Sequence, residues 1–280
     1  MDKVITTGWI FLLGLFVVAC SGEKDDFLDR MSMEHQGDRP VKNASSDLKQ
    51  LGEVSGEEVT YATVNGREIT GYLAKGENAD ENTPGIIVIH EWWGLNDNIR
   101  TMTDKLAGEG YTALAVDLYK GKVAESPDSA GTYAGSVDEQ EAVDNLTQAY
   151  NYLTEEQNAG NIGVVGWCFG GAWSLQTALA HPDKIDATVI YYGRLVTDTE
   201  QLAKLQMPVL GIFGEEDEGI PLKEVKAFES ALNEVGVSNS IHIYDGAGHA
   251  FANPSGTRYQ EEAAKDAWQK TVSFFEENLK

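Results

Sequence analysis

One stretch of nine residues, Gly163-Val164-Val165-Gly166-Trp167-Cys168-Phe169-Gly170-Gly171, limits what this chain can become. It joins an apolar run, Ile162 to Val165, to a helix-forming run, Ala172 to Ala180, which His181-Pro182 stops. A strand that turns into a helix through Gly-x-Cys-x-Gly leaves no room for a side chain at either flanking glycine. Such a turn strains the residue at its apex and lifts that side chain above the end of the sheet, the form of a nucleophile elbow. Cys168 stands at the apex. On these residues alone it is a nucleophile or a small buried core thiol, since free cysteine is commonly a core residue.

The flanking sequence supplies the sheet that such an elbow needs. Glu58 to Val64 alternates, Asn65-Gly66 is a hairpin turn, and Arg67 to Ala74 returns. Gly85 to Ile89 is a continuous apolar run, as in a strand covered on both faces. Then follow a helix over Asn98–Glu109, a strand over Tyr111–Val116, an irregular stretch from Asp117 to Val137, and a long amphipathic helix over Asp138–Gln157. After the elbow come strands at Ile185–Tyr191, Pro208–Phe213 and Ser240–Tyr244. Helices are expected near Thr199–Leu205, at Leu222–Val235 and over about Thr257–Leu279. Alternation of this kind predicts an α/β fold with a mostly parallel, eight-stranded sheet and helices on both faces. A flavodoxin-like doubly wound sheet is the alternative. Against it, His90-Glu91-Trp92-Trp93-Gly94 stands where a phosphate-binding glycine loop would follow the first parallel strand.

Chemistry in such sheets gathers at the carboxyl ends of the strands. Those ends carry His90-Glu91-Trp92, Cys168, Gly214-Glu215-Glu216-Asp217 and Gly248-His249-Ala250-Phe251. Nucleophile, acid, histidine is the chain order of an α/β-hydrolase. A thiol is mostly protonated at neutral pH, so an imidazole must make or hold the thiolate. His249, in a glycine-rich loop, is placed to do so, and Asp217 to fix the imidazole tautomer. Glu215 and Glu216 read as solvated surface. The oxyanion hole needs two backbone N–H groups. Phe169, after the nucleophile, and Trp92, after the earlier strand, are the candidates. His35 falls in the N-terminal tether, His181 at a helix end and His242 within a strand, and His90 supports the loop that follows it. No pair has a zinc-binding spacing, since His90-Glu91 lacks the later histidine of H-E-x-x-H. No metal or organic cofactor is expected.

The first stretch speaks to location. Lys3 precedes an apolar run, Trp9 to Ala19, too short for a comfortable span of about 20 residues and fitting a signal-peptide core. Val17-Val18-Ala19-Cys20 resembles a bacterial lipobox, which makes Cys20 a lipidation site; an ordinary secretory signal is the alternative. The expected organisation is a lipoprotein signal over 1–19, a flexible acidic tether over 20–56, with a short helix allowed near Ser46–Leu51, and a catalytic domain over 57–280. The place is the bacterial cell envelope, lipid-anchored on the periplasmic side, with Ser21 leaning to the outer membrane. Cys20 and Cys168 are the two cysteines. Lipidation of the first leaves the second a free thiol in an exported protein. A net charge of −24 disfavours nucleic acid and anionic lipid surfaces as partners.

Taken together, His90-Glu91-Trp92-Trp93-Gly94-Leu95, Asp117-Leu118-Tyr119, Gly166-Trp167-Cys168-Phe169-Gly170-Gly171, Tyr191-Tyr192-Gly193, Gly214-x-x-Asp217 and Gly248-His249-Ala250-Phe251 resemble the dienelactone hydrolase family. The resemblance runs from about Glu58 to the C-terminus. It implies a Cys168, Asp217, His249 triad acting on a small ester or lactone. It also implies that Glu91 contacts the resting thiol and gives way when substrate binds, which would keep an exported thiol quiet towards oxidants. Two positions depart from the family. Where it places arginines on the substrate carboxylate, this chain has Gly121, between Lys120 and Lys122, and Asn253. Asparagine carries no charge and lysine is only a point charge, so the substrate does not carry over with the machinery. A non-catalytic binding lipoprotein that keeps the fold, and a redox role for the free thiol, are the competing readings. The intact triad and Glu91 stand against the first, the lack of a resolving cysteine in the domain against the second.

Overall fold

The computed structural model describes residues 20–38 and 54–280. The expected signal segment 1–19 and the part of the expected tether over 39–53, with the short helix allowed near Ser46–Leu51, lie outside the described residues.

Eight strands form one sheet in the order β1-β2-β4-β3-β5-β6-β7-β8. β1 (Val54–Val64) and β2 (Arg67–Gly76) are the expected hairpin, turning at Asn65 and Gly66, both with positive φ. β2 runs antiparallel to β4 (Thr112–Val116). From β4 through β3 (Gly85–Ile89), β5 (Ile162–Trp167), β6 (Ala187–Tyr191), β7 (Val209–Gly214) and β8 (Asn239–Tyr244) every pairing is parallel. The register decides where chemistry can occur. Ile89 pairs with Val116 on one side and Gly166 on the other, and Gly214 pairs with Tyr244. The residues that leave β3, β5, β7 and β8 therefore emerge at one edge.

β3, β4, β5, β6 and β7 are buried at every position, because helices cover both faces. α2 (Asp97–Gly108) and α8 (Glu261–Leu279) meet on one face, where the Lys105 ammonium sits 4.3 Å over the Trp268 ring. α4 (Glu139–Asn151) and α5 (Phe169–Ala180) meet on the other, joined by Thr147 and His181 at 2.8 Å. Asn96 and Asp138 cap α2 and α4 by accepting the N–H of Ile99 and Glu141. α6 (Thr199–Leu202) and α7 (Leu222–Val235) complete the β6–β8 half, and Gly236, at φ 75°, ends α7.

Three stretches differ from the sequence reading. Within the segment expected to be irregular lies α3 (Pro127–Gly135), which starts on a reciprocal Ser126–Ser129 capping box with Pro127 in its first turn. The long helix closes in a π-turn, Tyr152–Glu156, instead of continuing as α-helix. The third difference is the largest. Cys20–Glu34, expected to be tether, is helix α1, and one side of it from Phe27 onward packs on the domain. Phe27, Met31 and His35 are buried. They recur every four residues, so they share one helical face, and the Arg30 guanidinium bonds Glu224 of α7 at 2.9 Å.

Candidate active site

The elbow forms as its glycines dictate. A Cβ on Gly166 would fall 2.0 Å from the Gly170 carbonyl oxygen, and one on Gly170 would fall 2.3 Å from that of Ile89. Both obstacles are backbone. Cys168, between them, has φ 53° and ψ −113°, a region that L-residues rarely occupy. It is held there by its N–H on the Tyr191 carbonyl and its carbonyl on the Ala172 N–H. Tyr192 and Ala250 also have positive φ, so backbone strain clusters around the thiol.

Asp217 and His249 leave β7 and β8 side by side and meet in a fully buried pair, Nδ1 to Oδ2 at 2.8 Å. A carboxylate only accepts, so Nδ1 carries the hydrogen. The other Asp217 oxygen accepts the Ile220 N–H at 2.8 Å. That leaves Nε2 of His249 buried without a hydrogen bond, within 4.8 Å of the Cys168 sulfur. Burial alone would raise the Cys168 thiol. The positive charge of His249, helped by His35, outweighs it and brings the thiol down to about 6. Burial would likewise lower His249, but Asp217 and the sulfur hold it well above the ordinary histidine value. The Asp217 carboxyl is driven below its usual range, the pull of His249 overcoming burial. The favoured resting state is thus thiolate beside imidazolium.

Glu91 follows β3 into the same cavity as Cys168. Burial, then the nearby sulfur charge, lifts it to about 8. Asn253 donates its amide N–H to one Glu91 oxygen and the Tyr192 hydroxyl reaches the other at 3.4 Å. The Asn253 carbonyl oxygen accepts both N–H and hydroxyl of Ser255, at 2.8 and 2.7 Å. Asn253, read from the sequence as a lost arginine, is therefore the clamp on Glu91. At the other departing position, the Gly121 N–H bonds the Asp117 carboxylate. His90 supports its loop as expected: Nδ1 donates to the Glu91 carbonyl at 2.7 Å and Nε2 accepts from the Leu118 N–H at 3.2 Å. Glu215 and Glu216 are exposed. Phe169 opens α5, and the Trp92 carbonyl accepts the Tyr119 hydroxyl at 3.3 Å.

The residue that sequence reasoning misplaced is His35. Just beyond α1, its ring enters the site. Nε2 lies 3.6 Å from the Cys168 sulfur, and the ring stacks on Trp92 with centroids 5.5 Å apart. Its Nδ1 bonds Asp38 at 2.9 Å. Arg258 latches this strap, donating to the Glu34 carbonyl at 2.8 Å, to the Glu34 carboxylate, and to Asp38 at 2.6 Å. Under the strap the cavity around Cys168, Glu91 and Asn253 holds about 10 Å³, room for about one water. A larger cavity of about 230 Å³, beside Trp167, Tyr259 and Trp268, contains no triad residue. The Phe27, Met31, His35 spacing was the available signal for this strap.

The model of the dienelactone hydrolase family matches residues 69–279. Protein usf of Aquifex pyrophilus is 34% identical over 224 residues, spanning 77% of this chain and 96% of its own. A protein of Aquifex aeolicus assigned as a carboxymethylenebutenolidase is 32% identical, spanning 77% and 96%. Among solved structures, a protein of Klebsiella pneumoniae assigned as a dienelactone hydrolase superposes with a TM-score of 0.72 at 27% identity, over 80% of this chain and 99% of its own.

Proposed function

The chain belongs to the dienelactone hydrolase family, and from that premise we propose that it hydrolyses a carboxylic ester or lactone through an acyl-cysteine on Cys168. The observation that carries this reading is the buried Asp217–His249 pair, which leaves Nε2 bare near a sulfur brought down to about 6. The thiolate attacks the carbonyl carbon. The oxyanion forms against the N–H groups of Phe169 and Trp92. Collapse breaks the C–O bond, and the leaving alkoxide takes the proton from Nε2 of His249. His249, now neutral, removes a proton from water as that water attacks the thioester. The second collapse releases the acid and restores thiolate and imidazolium. Asp217 holds the ring by Nδ1–H throughout. Glu91, held by Asn253, lines the same cavity as the sulfur and is the group that keeps the resting Cys168 quiet. The residues at 121 and 253 offer no guanidinium to a substrate carboxylate, so the favoured substrate is an ester or lactone that does not depend on one.

The test compares wild type with Cys168→Ala on activated esters and small lactones, dienelactone included. Turnover by wild type alone, with an acyl mass found on Cys168, is the expected result. Equal turnover by both would remove the triad assignment, and turnover by neither would remove the hydrolase.

We also propose that Cys20 is lipidated and tethers the enzyme at the cell envelope. Helix α1 begins at Cys20, so the anchor would lead directly into the strap over the site. Partition of the wild type, but not Cys20→Ala, into a detergent phase is the expected outcome; equal partition would dismiss the anchor.

A further inference from the structure

The strap brings a third donor to the site. Nε2 of His35, Nε2 of His249 and Sγ of Cys168 lie within 4.8 Å of one another, all three residues buried. Each ring is fixed by a carboxylate on its other nitrogen, His249 by Asp217 and His35 by Asp38, at 2.8 and 2.9 Å. Nδ1 of His249 therefore carries hydrogen, Nδ1 of His35 lies between Asp38 and Arg258 at 2.9 and 3.3 Å, and on each ring Nε2 is the nitrogen left to face the sulfur once its own proton has gone. A carboxylate behind each imidazole is the arrangement that orients histidine ligands on zinc. The triad explains only one of the two. Nothing in ester hydrolysis calls for His35 and Asp38, and Nε2 of His249 is fully buried with no hydrogen bond.

We propose that His35, Cys168 and His249 bind a zinc-class divalent cation, and that this binding switches the nucleophile off. Two nitrogens and one sulfur suit a borderline-soft, tetrahedral ion and not calcium or magnesium, which take oxygen. Bond lengths of about 2.0 Å to nitrogen and 2.3 Å to sulfur put tetrahedral donors roughly 3.3–3.6 Å apart. The His35–Cys168 pair is already at 3.6 Å. The remaining pairs, within 4.8 Å, need at most about 1.5 Å of closure to reach those separations. The small cavity lined by Cys168 and His35 has room for about one water. Binding displaces the proton that Nε2 of His249 holds beside the thiolate, with any proton on Nε2 of His35, to solvent; the sulfur and the two freed nitrogens then bond the metal, and nothing is oxidised or reduced. The sequence spacing gave no metal motif, because the three donors come from the N-terminal strap, the elbow and the last β-strand loop. The site stands independently of the proposed hydrolysis; only its consequence, inhibition, rests on that reading.

The test uses the full chain without an affinity tag, stripped with chelator and then titrated with Zn²⁺ against a chromophoric competitor and with Co²⁺ for spectroscopy. One equivalent should bind, with tetrahedral cobalt bands and a thiolate-to-cobalt charge-transfer band. Asp38→Asn should weaken binding by about 10–100-fold. His35→Ala should weaken it further, and Cys168→Ala should abolish the charge-transfer band. Zinc should raise the melting temperature of wild type and not of His35→Ala, provided the metal-free melts agree. No binding by wild type, or unchanged affinity and spectrum in His35→Ala, would overturn the site. A cobalt spectrum without ester turnover in chelator would sink the hydrolase and leave the metal site standing; turnover indifferent to one bound equivalent of Zn²⁺ would overturn the switch and leave the hydrolase.

Discussion

Nε2 of His35 stands 3.6 Å from the sulfur of Cys168, a contact that spans 133 residues of chain. It exists because Arg258 holds the strap by Glu34 and Asp38. Hydrogen bonds to charged groups contribute roughly 1.5–3 kcal/mol each, so losing this latch should multiply the open population by about ten or more. Arg258→Ala should therefore speed alkylation of Cys168 by iodoacetamide about tenfold or more. Cys168 is 1% exposed with the strap docked. Equal alkylation rates in wild type and variant would mean that Arg258 does not hold the strap.

The sulfur and Glu91 titrate in different windows. The thiol is brought down to about 6, so the reactive thiolate is present above that value and lost as pH falls through it. In chelator, kcat/KM for a neutral ester should drop along an acid limb centred near pH 6. Glu91 is pushed up to about 8. Below that it is a neutral acid, and above it a second negative charge stands near the thiolate. A second inflection near pH 8 is expected, present in wild type and absent from Glu91→Gln. Its persistence in the variant would assign it to another group.

Asn253 is the chain's own solution at a position the family resemblance gives to arginine. Its amide donates to Glu91 and its carbonyl takes two bonds from Ser255. Asn253→Asp replaces the donor by a second buried carboxyl, and two carboxylates in contact do not both ionise. The variant should lose about 1–3 kcal/mol of stability below about pH 8, where Glu91 is a neutral acid and only the amide donor is lost, and more above it, where both groups would carry charge. Urea denaturation at pH 7 and pH 9 reads the difference. A loss that is the same at both values would exclude charge repulsion as its cause.

The sheet was legible because its signal is local. Ile86 to Ile89, Val164 to Val165 and Leu210 to Phe213 are apolar on both faces, a pattern that only a covered strand needs. Parallel register then puts Glu91, Cys168, Asp217 and His249 at one edge, so four site positions could be read from strand ends. The strap was not legible in the same way. Among its described residues the apolar side that meets the domain has only Phe27, Leu28 and Met31 among charged neighbours, too little to hold an isolated helix. What holds it is tertiary: the Arg30–Glu224 pair, the Arg258 latch and the aromatic bed of His35. α3 was hidden by composition, since Gly131, Gly135 and its serines read as loop although Ser126 and Pro127 start a helix well.

The elbow allows the sharpest stability test. A Cβ at Gly166 would stand 2.0 Å from the carbonyl oxygen of Gly170 and 2.2 Å from its carbonyl carbon. Neither is the end of a flexible side chain, and Gly170 is itself pressed against the Ile89 and His90 carbonyls, at 2.3 and 2.6 Å from its would-be Cβ. The clash therefore passes into β3 and cannot be relieved locally. Gly166→Ala should cost more than about 4 kcal/mol, the range in which single substitutions unfold small domains. A Gly236→Ala control, at a position where nothing lies within 4 Å of the added Cβ, pays only the left-handed backbone cost of about 1–2 kcal/mol. The urea midpoint should fall much further for Gly166→Ala than for Gly236→Ala. Midpoints that agree would mean that the elbow can relax, and that Cys168 does not depend on this turn for its strained geometry.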